Sequence, residues 1–126
     1  MGAGRPTGGR RGEAEMIPLC TREDLPLHGA RGFDPYGDGQ DTVFVVRAGA
    51  ALHAYEDRCP HHGTPMAWRK DAYLDARGDH IVCSAHGATF EIGTGLCTLG
   101  PCLGQSLRAV PLSIGADGRI GIKDGR

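Results

Sequence analysis

Apolar and polar residues alternate with a period of two over several short stretches of the chain, and this period predicts β-strands. Residues 41–47 are rich in β-branched side chains, and residues 52–55 alternate apolar and polar positions. The intervening Ala48-Gly49-Ala50 suits a tight turn. The two segments are therefore predicted to form a β-hairpin.

Further short strands are predicted in the second half of the chain, separated by turns that contain Gly, Asp or Pro. They cover residues 80–83, 89–92, 107–114 and 119–123. Asp117-Gly118, between the last two, is a strong hairpin signal. Only residues 65–75 could hold a helical turn. The pattern as a whole predicts an all-β fold, either a sandwich or a small barrel.

The composition agrees with short strands and many turns, because 21 of the 126 residues are glycine and only 6% are aromatic. The formal charge is -1, with 14 basic and 15 acidic residues interspersed. This balance predicts neither a nucleic-acid partner nor a membrane partner. No run of apolar residues is long enough to span a bilayer, so a soluble protein is expected.

Residues 1–15 are predicted to be a disordered tail, and residues 16–126 a single domain. Arg10-Arg11 could be mistaken for a twin-arginine export signal, but the residues that follow are Gly12-Glu13-Ala14-Glu15 rather than an apolar region. A cytoplasmic location is therefore expected.

In a reducing compartment the five cysteines are expected to be thiols or metal ligands. Cys97 and Cys102 are close enough in sequence to form a small disulfide. Two thiols packed as small apolar residues are the favoured alternative.

Two segments combine metal-ligating residues within a turn: Cys59-Pro60-His61-His62-Gly63 and Cys83-Ser84-Ala85-His86-Gly87. Each places one Cys and one His two or three positions apart, after a predicted strand. Two thiolates and two imidazoles suit either zinc or an iron–sulfur cluster. Zinc modules of this composition usually pair Cys with Cys and His with His, whereas mixed loops suit a two-iron site with two ligands of each kind.

The motifs C-P-H-x-G, from Cys59, and C-x-x-H-G-x-x-F, from Cys83, resemble the signature of the Rieske family. They are more similar to soluble ferredoxins that serve oxygenases than to subunits of cytochrome bc complexes. Residues 100–103 resemble the proline-containing third loop that shields the cluster in this family. The resemblance implies a small Rieske-like fold of stacked antiparallel sheets, with a cluster-binding subdomain of two ligand loops.

The resemblance also implies one [2Fe–2S] cluster with four ligands. Cys59 and Cys83 would bind the inner iron, and His61 and His86 would bind the outer iron through their Nδ1 atoms. His62 would be a solvent-facing residue at the rim.

The chain departs from the simplest members in having 21 residues between His61 and Cys83. This longer segment is expected to form an excursion in which Trp68 and Tyr73 pack, with a surface hairpin near residues 76–79.

The reduction potential is expected at the low end of the Rieske range, which starts near about -150 mV. High-potential relatives carry hydroxyl groups two and four residues after the second His and a disulfide between the ligand loops. Ala88 and Phe90 occupy the hydroxyl positions here, and Thr64 and Ala85 stand where the bridging cysteines would be.

No catalytic residue is predicted. A single Cys–His dyad would leave the duplicated loop unexplained, and the sequence shows no facial triad in an oxygenase context. The resemblance implies an electron carrier between a flavin- or ferredoxin-dependent reductase and a terminal oxygenase. The alternative is a structural or binding module in which the same four ligands hold zinc.

Overall fold

The computed structural model describes residues 16–60, 63–85 and 87–123. Within these ranges the chain forms nine strands in three antiparallel sheets of three strands each. The predicted tail, residues 1–15, and the last three residues of the predicted domain lie outside the described residues. No helix in the described part of the chain is long and apolar enough to cross a membrane.

The first sheet joins the two ends of the described chain. Strand β1 (Met16–Thr21) pairs with β9 (Arg119–Lys123), which pairs with β8 (Leu112–Ile114). A short 3-10 helix, Arg22–Asp24, follows β1. The turn predicted at Asp117-Gly118 connects β8 to β9, and Gly118 has a φ of 86°, which favours glycine.

The strand predicted over residues 107–114 begins only at Leu112. The backbone of residues 108–110 instead forms hydrogen bonds with residues 54–56, at the end of another strand. The Glu56 amide donates to the Arg108 carbonyl at 2.9 Å, and the Val110 amide donates to the Ala54 carbonyl at 2.9 Å. This segment therefore connects the first sheet to the second.

The second sheet has the order β2 (His28–Phe33), β3 (Val43–Ala48), β4 (Ala51–Glu56). The hairpin predicted from residues 41–55 is confirmed as β3 and β4. Strand β2 was not predicted, because its sequence contains two glycines, which are poor strand formers. Gly32 is required there, since a Cβ atom would collide with the Tyr73 hydroxyl and the Asp41 carboxylate.

The third sheet has the order β5 (His80–Val82), β6 (Thr89–Glu91), β7 (Cys97–Leu99). The first two strands were predicted, whereas β7 is too short to show a period. The all-β prediction is confirmed.

The helical turn considered for residues 65–75 is wrong, because this segment is irregular and ends in an isolated bridge between Leu74 and Ile81. Beyond the bridge, residues 76–79 form the expected surface turn. It is closed by the Asp75 amide, which donates to the His80 carbonyl at 3.0 Å.

Strand β3 separates two hydrophobic clusters and is buried on both faces, as expected for a continuous apolar run. Phe44 and Val46 contribute to the larger cluster, which also contains the third sheet. Val45 points the other way and packs with Leu25, Ala54 and Ile120.

Asp57 is the one buried charged side chain among the described residues, with 6% of its surface exposed. One carboxylate oxygen accepts a hydrogen bond from the Met66 amide at 2.7 Å, and the other accepts one from the Tyr73 hydroxyl at 2.7 Å. Burial raises the pKa of Asp57, and the two hydrogen bonds oppose that rise. Tyr73 is itself buried and stacks on Phe44 with ring centroids 4.3 Å apart.

The two aromatic residues of the excursion behave differently. Tyr73 packs in the core as expected, whereas Trp68 is 70% exposed, and the guanidinium of Arg69 lies over its ring at 4.9 Å from the ring centroid. The expectation that Trp68 is a packing residue is wrong, because the buried anchors of this segment are Met66 and Tyr73.

Replacing Tyr73 with Phe is expected to lower the free energy of unfolding by about 1–3 kcal/mol, because it removes a donor from a buried carboxylate. Tyr55→Phe is the matched control, since the Tyr55 hydroxyl donates to the neutral carbonyl of Ile92 at 2.6 Å. It should cost about 1 kcal/mol or less. Urea denaturation of both variants measures the difference, and an equal or smaller loss in Tyr73→Phe would contradict the role given to Asp57.

Candidate metal centre

Cys59 begins a tight turn three residues after the end of β4. Its amide donates to the Thr64 carbonyl at 2.8 Å, and the Gly63 amide donates back to the Cys59 carbonyl at 2.6 Å. These two bonds close the turn that runs from Cys59 to Thr64.

Cys83 begins a second turn with the same hydrogen bonds at the same spacing. Its amide donates to the Ala88 carbonyl at 2.9 Å, and the Gly87 amide donates to the Cys83 carbonyl at 2.8 Å. In both turns the partner residues are therefore four and five positions after the cysteine.

Gly63 and Gly87 occupy equivalent places in the two turns, and each has a φ of 72°. This is the left-handed region, which glycine reaches without the steric penalty of a Cβ atom. The glycine that ends each sequence motif is thus explained by backbone conformation. The two similar sequence motifs therefore form two turns with the same backbone structure.

The side chains of Cys59 and Cys83 are 1% and 0% exposed and belong to the same hydrophobic cluster. The two turns thus bring both sulfurs into one interior region. His61, His62 and His86 lie outside the described residues. The described residues alone contain no group of three His, Cys, Asp or Glu side chains arranged to hold a metal ion.

Met66 links the two cysteine turns. Its carbonyl accepts hydrogen bonds from the Ser84 amide at 2.9 Å and the Ser84 hydroxyl at 3.0 Å. Its amide donates to Asp57, two residues before the first cysteine. Sequence reasoning missed this role of Asp57, although an acidic residue directly after an apolar strand, beside a predicted ligand, was a usable signal.

The segment at Gly100 packs against the second cysteine turn. Gly100 has a φ of 113°, and a Cβ atom there would lie 2.7 Å from the Cα atom of Ala88. Ala88 is fully buried, and Leu103, farther along the segment, is 67% exposed. Residues 100–103 therefore lie where the resemblance predicted a third loop.

Cys97 and Cys102 are also buried, at 2% and 0% exposure. Their sulfurs are 3.2 Å apart with Cys102 as donor, and no cysteine forms a disulfide in the described residues, which include all five. Burial raises the pKa of the Cys102 thiol to about 12, with further contributions from hydrogen bonding and charge at Cys97 and Cys59. Cys97 and Cys102 are therefore two buried thiols, the alternative that the sequence analysis favoured over a disulfide.

The donor set fits a small cluster with two sulfur ligands from the protein. Two buried cysteines on matching turns supply soft thiolates from an apolar interior, which suits iron and sulfide. Each motif carries its histidine on the segment between the cysteine and the glycine.

Comparisons with known proteins agree with this arrangement. The family model for the Rieske [2Fe–2S] domain matches residues 15–112. The chain is 32% identical to the oxidoreductase NdmD of Pseudomonas putida over 87 residues, which are 69% of this chain and 14% of that protein. It is 30% identical to the ferredoxin CarAc of Metapseudomonas resinovorans over 98 residues, 78% of this chain and 79% of that protein.

A solved structure shows the same fold. The ferredoxin of carbazole 1,9a-dioxygenase from Nocardioides aromaticivorans superposes with a TM-score of 0.65 at 25% identity, over 86% of this chain and 96% of that chain. The likeness therefore extends over nearly the whole of a ferredoxin, whereas the chain spans only a seventh of NdmD in length.

Gly100→Ala is expected to weaken retention of a bound metal group, because the new Cβ atom would push the third loop away from Ala88. Gly104→Ala is the matched control, since its φ of 88° imposes a similar strain and no atom lies within 4 Å of a Cβ placed there. Each variant should lose about 1–2 kcal/mol of stability from backbone strain. Only Gly100→Ala should release iron several-fold faster to a chelator, and equal release rates would contradict the packing described.

Proposed function

Because the chain belongs to the Rieske [2Fe–2S] domain family, we propose that it is a single-electron carrier that receives electrons from a flavin- or ferredoxin-dependent reductase and passes them to a terminal oxygenase. A Rieske domain binds one [2Fe–2S] cluster, which accepts and releases one electron at a time. The observation that carries the proposal is the pair of matching cysteine turns that direct two buried thiols into one core.

We assign the four ligands to Cys59, His61, Cys83 and His86. The buried cysteines would hold one iron. The histidines would hold the other iron through one ring nitrogen each, as the resemblance implies. The matching turns support this assignment, because each presents its cysteine from the same backbone geometry and carries its histidine within the segment that the turn encloses.

The protein's own contribution is to fix the ligand sulfurs and exclude water from them. The turn hydrogen bonds set the direction of each cysteine, and Met66 fixes one turn relative to the other. The apolar cluster around Cys59 and Cys83 keeps solvent away from the sulfurs.

The partner classes rest on the relatives. One is named an oxidoreductase and another a ferredoxin, and the solved structure is the ferredoxin of a dioxygenase. A chain that matches most of a ferredoxin and only a small part of the oxidoreductase suits the role of a carrier between two enzymes. A cytoplasmic site of action is part of the proposal, supported by cysteines that are thiols.

The visible spectrum separates the cluster from the zinc alternative. The purified protein should be reddish-brown, contain equal amounts of iron and acid-labile sulfide, and give an EPR signal on reduction. A colourless protein with one tightly bound zinc would overturn the proposal.

Cys59→Ser and Cys83→Ser are each expected to abolish the cluster and destabilise the fold, because the free energy of metal binding is part of the folding free energy at such a site. Cys20→Ser is the matched control, since Cys20 is a half-buried thiol of β1 outside the cluster region. Iron and sulfide analysis tests the three variants. Full cluster content in either ligand variant would rule out the assignment.

The reduction potential should be constant in acid and fall as the pH rises through the oxidised-state pKa of the histidine ring nitrogens that do not bind iron. Deprotonation stabilises the oxidised form, because that form withdraws more electron density from the imidazoles. The slope should approach about 59 mV per pH unit for one proton coupled to one electron.

Protein-film voltammetry measures this dependence, with His62→Ala as the control that should keep both cluster and slope. Loss of the cluster is expected in His61→Ala and His86→Ala. A potential independent of pH well into the alkaline range would exclude histidine ligands.

A further inference from the structure

The three most exposed large apolar side chains in the described part of the chain all lie around the second cysteine turn. They are Trp68, Leu103 and Leu99, at 70%, 67% and 64% exposure. Single exposed apolar residues are ordinary, whereas several at one place mark a binding surface. These three residues are called the second-turn surface below.

Trp68 is placed beside this turn by the long segment between the two cysteine motifs. The carbonyl of Met66, two residues earlier, accepts the Ser84 amide at 2.9 Å and the Ser84 hydroxyl at 3.0 Å. Met66 is fully buried, so the chain comes to the surface between Met66 and Trp68. Trp68 therefore lies at the surface on the Ser84 side of the turn.

The two leucines lie at the other end of the same turn. Leu99 pairs with Thr89 in the third sheet, and Thr89 directly follows Ala88. The Leu103 amide donates to the Gly100 carbonyl at 3.2 Å, and Gly100 packs on Ala88. The second-turn surface therefore encloses the turn from both ends.

Charged residues are missing from the segments that form this region. Residues 81–90 and 92–107 contain no Asp, Glu, Lys or Arg, in a chain of which 23% is charged. The intervening Glu91 lies at the end of β6 away from the turn and accepts a hydrogen bond from the Thr94 hydroxyl at 2.6 Å. The cores of protein interfaces have this composition, because charged residues are depleted there while Trp and Arg are enriched.

Arg69 is the cation that adjoins the second-turn surface. Its guanidinium lies over the Trp68 ring, 4.9 Å from the centroid, and it forms no ion pair with a carboxylate of the described residues. Lys70, the next residue, is by contrast paired with Asp41 at 2.8 Å. The donors of Arg69 are thus available to a carboxylate of another molecule.

We propose, on the basis of the function assigned above, that the second-turn surface is where the redox partners dock, and that Trp68 is its anchor. The matching surface of the partner has an apolar recess for the indole ring and a carboxylate for Arg69, and Trp and Arg are residue types that dominate binding energy. The second turn carries two of the proposed cluster ligands, so a partner docked here lies close to the cluster. Because the carrier has a single cluster, the reductase and the oxygenase use this surface one after the other.

The test measures how the reductase reduces the holoprotein. The enzyme is purified from the soluble extract of the source organism by its NADH- or NADPH-dependent reduction of the unmodified holoprotein, followed by visible absorbance. Trp68→Ala should raise the KM for the holoprotein at least about fivefold and leave kcat unchanged, since it removes binding and not chemistry. Leu27→Ala should change neither and is the matched control, since Leu27 is 59% exposed and its carbonyl binds the Gly49 amide at the β3–β4 turn.

Arg69→Gln should raise the KM and reduce its dependence on ionic strength, because salt screens the ion pair with the partner. Arg31→Gln is its control, since the Arg31 guanidinium also lies over an aromatic ring, that of Phe33 in β2, at 5.6 Å from the centroid. Iron content and reduction potential should equal those of the unmodified protein in all four variants.

An unchanged KM in Trp68→Ala would overturn the inference, as would an equal rise in Leu27→Ala. A lower iron content or a shifted potential in Trp68→Ala would also overturn it, since the ring would then act on the cluster and not on a partner. Light scattering that finds a dimer of the unmodified protein and a monomer of Trp68→Ala would assign the surface to a second copy of the chain instead. Failure of every fraction to reduce the unmodified holoprotein is a different result and contradicts the proposed function itself.

Discussion

The arrangement of the cluster region depends on the two hydrogen bonds that the buried Asp57 carboxylate accepts. A buried carboxylate is costly unless both oxygens are hydrogen-bonded, and its partners, the Met66 amide and the Tyr73 hydroxyl, come from the long segment between the two cysteine turns. Satisfying Asp57 therefore folds that segment back onto the start of the first turn. The Met66 carbonyl then binds Ser84 and fixes the second turn.

The two cysteine turns have the same backbone conformation and the same hydrogen bonds. Each needs a left-handed residue four positions after the cysteine, and glycine meets that need in both. The sequence of one turn does not determine where the other turn lies, so their relative placement comes from contacts with residues outside both turns. These are the Met66 bridge on one side and the Gly100 contact with Ala88 on the other.

Local pattern was enough to predict the β3–β4 hairpin, strands β5 and β6, the turn at Asp117-Gly118 and the chemical type of the site. Features that depend on distant partners were not predictable. Strand β2 contains two glycines and is held partly by the Gly32 amide, which donates to the Asp71 carboxylate 39 residues away. Trp68 and Tyr73 were both expected to pack in this segment. Only Tyr73 is buried, because its hydroxyl donates to the buried Asp57 carboxylate, whereas Trp68 is exposed.

The close contact between Gly100 and Ala88 connects packing to redox properties. A Cβ atom built on Gly100 would lie 3.0 Å from the Cβ atom of Ala88, so the second turn has little space for a larger side chain at this position. A hydroxyl donor at position 88 would therefore require the third loop to move away. The contact that closes the core therefore also opposes the hydroxyl donor that high-potential relatives carry at position 88, in agreement with the low potential expected from the sequence.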